Sequence, residues 1–394
     1  HYTLLAYGGQ GALKQVLLDD NAGQPETGRA LLRVVNAAPD AGALDVYLTG
    51  SDEPLASAVP AQGAAAVGTV GEWLTVSAAT WRLRITAAGN KADLRIDLPA
   101  LALPSQQVAT LVITPGRGGV LVNTLLLVQQ GSITAGPSPQ ARVRLAAGVA
   151  DGGAVAARVG GTTLASNVGS PAVDIYTLLP AGTVPVVVSV NGQAVPMPDA
   201  ALLAGADYTL LVRGPLGAAQ ATWIEDDNTL PANTSQAKLR LVHGVADFAE
   251  QVAMTADFVP VADGIGPGLA STSRLVNATA AASLSVTGTG RSTPLFTAVE
   301  QRLEAGANYT VFVVGPANAV VGIVLSVKRQ HEWVNEKFAQ MLGYPRQVLI
   351  GQLSSYIHPD EDSWLRFGAE ARAALVATNA YNCERQLKRR NGEL

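Results

Sequence analysis

One strand–turn–strand pattern occurs four times in this sequence and limits the folds open to it. The pattern has an apolar strand, a turn at Gly or Pro, and a second apolar strand. Its copies begin at Tyr2, Ala109, Tyr208 and Tyr309, so the spacings are 107, 99 and 101 residues. A period of about one hundred residues is the size of a β-sandwich domain and exceeds that of small solenoid repeats. The sequence therefore predicts a tandem array of β domains.

Each predicted repeat also opens with a recognisable strand. These strands begin near residues 31, 141 and 237, and their residues alternate around Arg33, Arg144 and Arg240. Alternation with a period of two is typical of a strand that buries one face. The three arginines are therefore predicted to lie on the solvent face of their sheets.

The composition agrees with short strands joined by tight turns. Hydrophobic residues make up 48% of the chain and aromatic residues 5%, with 40 glycines and 22 prolines. The net charge is −4 and no long basic run occurs, which argues against nucleic-acid binding. The single cysteine excludes an intrachain disulfide framework. No apolar run reaches the roughly 18 to 20 residues of a membrane span.

The repeat spacing divides the chain into five predicted segments. Residues 1–21 are predicted to be the closing hairpin of an incomplete preceding repeat. An isolated hairpin is marginally stable in water, so it should either pack on the next repeat or pair with a neighbouring chain. The other segments are β-sandwich repeat 1 (29–130), β-sandwich repeat 2 (140–228), β-sandwich repeat 3 (237–328) and a segment of different composition (331–394). Linkers are predicted at 22–28, 131–140 and 229–236.

The opening of the first repeat carries a family resemblance. Residues 33–47, Arg-Val-Val-Asn-Ala-Ala-Pro-Asp-Ala-Gly-Ala-Leu-Asp-Val-Tyr, resemble the bacterial domain-of-unknown-function family 4397. The Pro-Ala-Gly turn at 180–182 and the Ala-Gly-X-X-Tyr-Thr hairpin entries at 204–209 and 305–310 are similar to that family too. The resemblance covers residues 29–327 as three copies. It implies an exported Ig-like β-sandwich and supplies no catalytic residues.

The composition changes abruptly after residue 330, where helix formers and charged residues become dense. The motifs Val-Asn-X-X-Phe (334–338), Leu-Gly-Tyr (342–344), Ile-Gly (350–351) and His-Pro-Asp (358–360) resemble a PAS sensor domain in order and spacing. The resemblance covers 331–394 and implies a partial α+β segment without its usual closing strands. The preceding residues 322–327 fit either the last strand of the third repeat or the first PAS strand, and the repeat register favours the former.

Acidic and amide residues cluster where two of the repeated hairpins end. Calcium takes six or more oxygen ligands, and such residues could stiffen a joint between domains by binding it. Asp and Asn also end strands through local turns without any metal, and the third hairpin ends in Ser326-Val-Lys-Arg329, with no acid. The predicted cofactor set is therefore none, with calcium kept as a hypothesis. The candidate residues are Asp19, Asp20, Asn21, Glu225, Asp226, Asp227 and Asn228.

Other polar residues give no catalytic pattern. Asp40 and Asp45 could pair as carboxylates, but no histidine or nucleophile is near them in sequence, so they more simply fix a turn. His243 stands where the other repeats have Asn36 and Ala147, and it lacks the neighbouring ligands of a metal site. No Gly-X-Ser-X-Gly elbow occurs. These observations predict that the chain is not an enzyme and leave any cofactor-binding residues unknown.

The sequence thus favours a mainly β fold of tandem Ig-like β-sandwich repeats with a C-terminal partial α+β PAS-like segment. The interpretation is a non-enzymatic cell-envelope or secreted structural or binding protein. Its partner would be an unknown surface or protein, with self-association through edge strands as one route. The alternative is a signalling protein in which the β array is an ectodomain and the PAS-like unit senses or relays a ligand. A third possible function is that of a carbohydrate-binding appendage of an enzyme. The location is extracellular or envelope, or cytoplasmic if the PAS-like segment dominates.

Overall fold

The computed structural model forms two compact units. The first comprises His1–Leu295 and Arg302–Ala317, and the second comprises Phe296–Gln301 and Asn318–Leu394. The structure describes residues 1–8, 13–291, 293–317, 324–327, 330–334, 338–339, 342–378 and 386–393. The fold is mainly β, as predicted.

The first unit begins with an antiparallel hairpin of β1 (Tyr2–Tyr7) and β2 (Lys14–Asp19). Side chains alternate between the two sides of each strand, so the hairpin has an inner and an outer face. The inner face packs through Leu5 and Leu18 on Val35 and Val112 of the domain that follows. Of the two arrangements predicted for this hairpin, the structure shows packing on the next repeat.

Sandwich 1 is built from two sheets with the orders β11-β10-β9-β3-β6 and β5-β4-β7-β8. Its core lies between the sheets and includes the fully buried Leu32, Leu83 and Leu111. Its strands are β3 (Arg29–Asn36), β4 (Leu44–Thr49), β5 (Gln62–Ala65), β6 (Leu74–Ser77), β7 (Ala79–Ala87), β8 (Asn90–Leu103), β9 (Val108–Pro115), β10 (Val122–Val128) and β11 (Ile133–Gly136).

Sandwich 2 repeats this plan with the orders β15-β12-β21-β22 and β14-β13-β18-β19; β16 also pairs with β12, and β17 pairs with β20. Val143, Val155 and Leu210 meet in its core. Its strands are β12 (Gln140–Val149), β13 (Ala154–Val159), β14 (Thr162–Gly169), β15 (Ala172–Val173), β16 (Thr177–Pro180), β17 (Gly182–Val184), β18 (Val186–Val190), β19 (Gln193–Val195), β20 (Ala200–Leu202), β21 (Asp207–Gly214) and β22 (Gln220–Asp226).

Sandwich 3 has β26-β23-β29 in one sheet, and β24 pairs with β25 and β27 in the other. Short 3-10 turns follow the first strands of sandwiches 1 and 2, at Pro39–Ala41 and Ala150–Gly152. The strands of sandwich 3 are β23 (Gln236–Val245), β24 (Val252–Ala256), β25 (Val259–Ile265), β26 (Arg274–Asn277), β27 (Thr279–Gly288) and β29 (Asn308–Gly315). Most of strand β28 (Phe296–Leu303) belongs to the second unit.

In all three sandwiches the first strand runs parallel to the first strand of the repeated hairpin. Thus β3 pairs with β9, β12 with β21 and β23 with β29. The register is the same each time, because Arg33 lies opposite Thr110, Arg144 opposite Thr209 and Arg240 opposite Thr310. Because of this shared register, one arginine occupies the equivalent position on the first strand of each sandwich.

The second unit contains the helices. Strands β30 (Val324–Val327) and β31 (Gln330–Val334) pair antiparallel, and they are followed by α1 (Arg346–Leu349), a 3-10 turn (Ser354–Ile357) and α2 (Glu361–Thr378). The carboxylate of Asp360 accepts a hydrogen bond from the backbone N–H of Ser363 and so caps the start of α2. A small apolar cluster includes Phe338, Leu342 and Leu349. Among the described residues, no helix is long and apolar enough to cross a membrane.

Two details of the predicted organisation differ from the structure. The segment 131–140, predicted as a linker, contains β11, which extends the sheet of sandwich 1 by pairing with β10. The repeat register placed residues 322–327 in the third repeat, whereas Val324–Val327 pairs with Gln330–Val334 in the second unit. Both strands pair with the segment nearest in sequence, because closing a short loop costs little entropy. The PAS resemblance stays a prediction, and residues 335–337 of its first motif lie outside the described residues.

Sandwiches 2 and 3 contact each other at two glycines, Gly148 and Gly244. A Cβ atom placed on Gly148 of β12 would lie 2.3 Å from the carbonyl oxygen of Gly244 of β23. Real Cβ atoms do not come so near a backbone oxygen, so any side chain here must separate the two strands. Glycine at position 148 therefore allows these two strands to come this close.

We expect Gly148→Ala to destabilise the protein by about 1–3 kcal/mol, because it overpacks this contact. The matched control is Gly169→Ala, since a Cβ on Gly169 would meet no atom within 4 Å and its backbone is not in the left-handed region. The control should shift stability by less than about 0.5 kcal/mol. Urea unfolding measures both variants, and equal stabilities would contradict this account of the contact.

Candidate functional site: the joints between domains

The arginines that open each repeat do not lie in solvent as predicted. The side chains of Arg33 and Arg240 are 4% exposed and that of Arg144 is 15% exposed. Strand alternation does point them away from their own cores, as the sequence indicates. However, the outer face of sandwich 1 is covered by the N-terminal hairpin, and that of sandwich 3 by sandwich 2. The predicted wet face is therefore an interface between domains.

Arg240 joins sandwich 3 to sandwich 2. Its Nε donates to the hydroxyl of Thr310, 3.0 Å away on the neighbouring strand of the same sandwich. Its Nη1 donates to the carbonyl oxygen of Glu225 at 3.2 Å, and its Nη2 donates to Oδ1 of Asp226. The threonine thus orients the guanidinium, and the guanidinium holds the end of the preceding hairpin.

Asp226 is the centre of this joint. Its side chain is fully buried, and its Oδ2 accepts hydrogen bonds from Thr209 and Tyr176, both at 2.6 Å. The Nη2 of Arg144 lies 3.5 Å from the same oxygen. One carboxylate therefore faces two arginines, one from each of the sandwiches that it joins. Burial and the adjacent Asp226 carboxylate raise the pKa of Tyr176 well above its ordinary value, so the phenol stays a donor.

Aromatic rings enclose the second guanidinium. The guanidinium of Arg144 lies 4.5 Å from the ring centre of Tyr176 in its own sandwich and 4.8 Å from that of Phe312 in sandwich 3. Rings at this distance attract a cation through their quadrupoles and exclude water from it. Arg144 thus contributes to the joint through both stacking and charge.

A second ion pair lies beside the first. The Nζ of Lys238 is 2.7 Å from a carboxylate oxygen of Asp227 and 2.8 Å from both the carbonyl and hydroxyl oxygens of Thr229. Burial alone would raise the pKa of Asp227, but the hydrogen bonds from Lys238 and Thr229 outweigh burial and leave that pKa below its ordinary value. Asn228 donates to Oδ2 of Asp207, which also pairs with Arg142.

The joint between the N-terminal hairpin and sandwich 1 has the same plan. The Nε of Arg33 donates to Thr110 at 2.8 Å, its Nη1 to the carbonyl oxygen of Asp19 at 2.7 Å, and its Nη2 to Oδ1 of Asp20 at 2.5 Å. The hydroxyl of Thr3 donates to Oδ2 of Asp20, also at 2.5 Å. The guanidinium of Arg33 stacks 4.4 Å from the ring centre of Trp73.

Apolar contacts repeat in the same positions at both joints. Leu18, Val35 and Val112 meet at the first joint. The residues at the corresponding positions of the second joint are Ile224, Val242 and Phe312, and these also form one cluster. Each joint is therefore an apolar patch beside a satisfied ion pair, an arrangement that fixes both position and orientation.

The seven calcium candidates all lie at these two joints. Asp20, Asp226 and Asp227 have basic partners, and Oδ1 of Asp19 accepts from Asn21. Glu225 pairs with Arg117 at 2.6 Å on the surface. No group of three or more metal-binding acid, histidine or cysteine side chains occurs in the part of the chain that the structure describes. Calcium binding stays a prediction.

The remaining candidate residues also have structural hydrogen-bond partners. Asp45 accepts hydrogen bonds from the backbone N–H groups of Ala64 and Gly89, at 2.7 and 2.8 Å. Oδ1 of Asp40 accepts from the backbone N–H of Leu230 at 2.8 Å. His243 is fully buried, its Nε2 lies 3.0 Å from the carbonyl oxygen of Glu250, and burial lowers its pKa.

The sequence reasoning found the acids of the joints and missed their partners. It placed Arg33, Arg144 and Arg240 in solvent and did not identify Tyr176 or Lys238. One signal was available, because arginine recurs at the same position in every repeat and acids occur where two of the four hairpins end, just before a repeat that opens with such an arginine. Opposite charges at fixed repeat positions indicate a contact between repeats.

Comparisons with known proteins bear on the fold more than on the site. The family model of a domain of unknown function, DUF4397, matches residues 1–47 and 141–252. The matched residues include the central ion pairs of both joints, with Asp20 and Arg33 in the first segment and Arg144, Asp226 and Arg240 in the second. The match supports that family for these parts of the chain. No curated protein matches the sequence.

Two solved structures are similar to parts of the chain. One is a protein from Bacteroides uniformis named for a proposed role in cell adhesion, with 12% identity, a TM-score of 0.22, and coverage of 52% of this chain and 100% of that one. The other is the Bacillus anthracis TIE protein, with 9% identity, a TM-score of 0.16, and coverage of 79% of this chain and 57% of that one. Neither likeness bears on what the chain binds.

We expect Asp226→Asn to lower the free energy of unfolding by about 3 kcal/mol or more, because it leaves two buried arginines facing an uncharged partner. Glu225→Gln is the control, since it removes a neighbouring carboxylate whose ion pair is solvent-exposed and worth less than about 1 kcal/mol. Urea unfolding followed by intrinsic tryptophan fluorescence measures both variants. Similar losses in the two variants would contradict the central role of Asp226.

The pH dependence of stability should report on Asp227. Its folded pKa is lowered, so the contribution of its ionised form is present above the ordinary aspartate pKa of about 3.9 and is lost as the pH falls through the folded pKa. Asp227→Asn should therefore be less stable than the unaltered chain at pH 7, and the difference should shrink below about pH 4. Lys238→Met should give the same pattern. A difference that grows on acidification would contradict the assignment.

Proposed function

We propose that this chain is a non-enzymatic structural and binding protein of the bacterial cell envelope or exterior. In this proposal the β-sandwiches form a spacer of fixed geometry, and the loops and free strand edges bind a surface or protein partner. The observation that carries the proposal is the repeated joint, in which an arginine of one domain holds the acidic end of the preceding one.

Fixed joints support the spacer role. Domains in one chain move relative to one another by default unless their interface is large or specific. Here each joint combines an apolar cluster with a directed ion pair, and Arg240 reaches both a carboxylate and a carbonyl oxygen of the preceding hairpin. Directed contacts of this kind restrict rotation more than an apolar patch alone. A spacer that keeps its binding surfaces at set distances suits an adhesive or scaffolding protein.

The polar residues at the joints support a structural role as well. Most of their hydrogen-bond donors and acceptors are paired with other residues of the same joint. Asp226, for example, accepts hydrogen bonds from three residues and also pairs with Arg144. A catalytic carboxylate needs access to a substrate, whereas Asp226 is fully buried. The binding surfaces are expected on exposed loops and edges, where side chains can meet a partner without disturbing the joints.

Protease treatment of intact source cells tests the proposed location. Proteinase K should remove the chain from intact cells, or the chain should be found in the medium or be released when the outer envelope is permeabilised. A cytosolic marker protein must survive the same treatment as the control. Detection of the chain only after complete lysis, together with the cytosolic marker, would overturn the proposal and favour the signalling alternative.

A further inference from the structure

A cleft of about 430 Å³ lies between sandwiches 2 and 3. It is lined by the start of β22, whereas Asp226 and its ion pairs lie at the other end of that strand. The volume falls within the roughly 300–1,000 Å³ that small-molecule sites occupy, and such sites are common at domain interfaces. The cleft is therefore large enough for a small organic ligand.

Arg213 is the charged side chain that lines this cleft. It follows Leu211 on the face of β21 that sandwich 3 covers, because side chains two residues apart in a strand share a face. A Cβ placed on Gly268 of sandwich 3 would lie 3.1 Å from Nε of Arg213, so the guanidinium lies against that domain. The corresponding residues of sandwiches 1 and 3 are Thr114 and Val314, so the fold does not require a cation here.

No carboxylate among the described residues pairs with Arg213. Its Nη2 donates to Oε1 of Gln220 at 3.2 Å, and burial lowers the pKa of the guanidinium. Elsewhere at this interface, by contrast, Asp226 pairs with both Arg144 and Arg240. Because a charge that is partly removed from water without a partner is costly, a bound anion would offset that cost.

Two neutral donors lie on the same face as Arg213. Gln220 and Thr222 stand directly opposite Arg213 and Leu211 across the β21–β22 pair, so their side chains are on the same side of the sheet. The amide nitrogen of Gln220 and the hydroxyl of Thr222 donate to no acceptor in the part of the chain that the structure describes. A carboxylate held by Arg213 can therefore also accept hydrogen bonds from neutral groups.

The remaining walls of the cleft are apolar and preformed. They include Pro196 of sandwich 2 and Pro267 and Leu269 of sandwich 3. The wall from sandwich 3 is held on β23, since the N–H of Gly268 donates to the His243 carbonyl at 2.8 Å and the N–H of His243 donates to the Leu269 carbonyl at 2.9 Å. A ligand that enters a preformed site pays little for ordering it.

We propose that this cleft binds a small organic acid, with its carboxylate on Arg213 and its apolar body between Pro196 and Leu269. A carboxylate fits because one guanidinium balances one negative charge and meets both oxygens in a bidentate pair. A phosphate monoester carries about two negative charges and calls for further cations, of which the lining residues have none. The inference adds a small-molecule site to the binding role proposed above and does not depend on where the chain is located.

Isothermal titration calorimetry with the full chain at neutral pH tests this inference. The probe is naphthylacetate, and naphthylacetamide, which has the same rings and no charge, is the control ligand. We expect naphthylacetate to bind with a Kd of about 1 mM or tighter and about tenfold more tightly than the amide, because only the acid forms a charge-assisted pair. Both ligands meet the same unaltered protein, so a folding defect cannot explain the difference.

Variants of the full chain then locate the ligand. Arg213→Met should weaken naphthylacetate about tenfold, to the affinity of the amide, and leave the amide unchanged, so the two changes are not additive. Arg158→Met is the matched control and should leave both affinities unchanged. Arg158 is an exposed arginine of the same sandwich that donates to the Gly161 carbonyl at 2.9 Å and does not line the cleft.

Four results would overturn the inference: no saturable binding of naphthylacetate, equal affinity for the acid and the amide, an equal loss in Arg158→Met, or displacement of naphthylacetate by inorganic phosphate more readily than by acetate. The last would make phosphate the ligand. None of these results depends on the location of the chain, so the protease test of the envelope location stands or falls separately.

Discussion

The buried carboxylate of Asp226, shared between Arg144 and Arg240, is the interaction on which the array depends. Taking three charges out of water is costly, and an apolar cluster of equal volume could stabilise the joint as well. An apolar cluster alone, however, does not fix the orientation of one domain relative to the next. Each guanidinium must meet its oxygen, its threonine and its ring at once. We infer that the ion pairs set the orientation of the domains and that the adjacent apolar contacts supply most of the free energy.

The joints differ along the chain, and the difference depends on whether the preceding hairpin ends in acidic residues. The hairpin of sandwich 1 ends in Val128-Gln129-Gln130, without an acid, so it cannot form this joint with the next domain. Contact with sandwich 2 is made instead by the turn at Gly116–Gly119, where Gly118 N–H donates to the Gly205 carbonyl at 2.8 Å and Arg117 pairs with Glu225. The sequence after β29 includes Ser326-Val-Lys-Arg329, which also lacks an acid. Acidic ends thus mark the joints at which an arginine of the next domain is bound.

Much of the fold could be predicted, because it depends on local patterns. The hairpin spacing and the strand alternation follow from which residues repeat at period two and where Gly and Pro interrupt them. The prediction was wrong for β11, which was expected to be a linker, and for β30, which was expected to belong to the third repeat. The pairing of each strand depends on which neighbouring strand edge is available to it. The prediction was also wrong for Arg33 and Arg240, because alternation says which side of a sheet a residue is on and not what covers that side.

By itself, the sequence determined the class of fold, the repeat length and the positions of the acids and arginines, since these are properties of short segments. The tertiary structure decided that the three arginines are buried. It also decided that Asp226 pairs with both Arg144 and Arg240, and that Asp20 pairs with Arg33. These facts depend on the packing of one domain against another, which brings together residues whose side chains no local pattern connects.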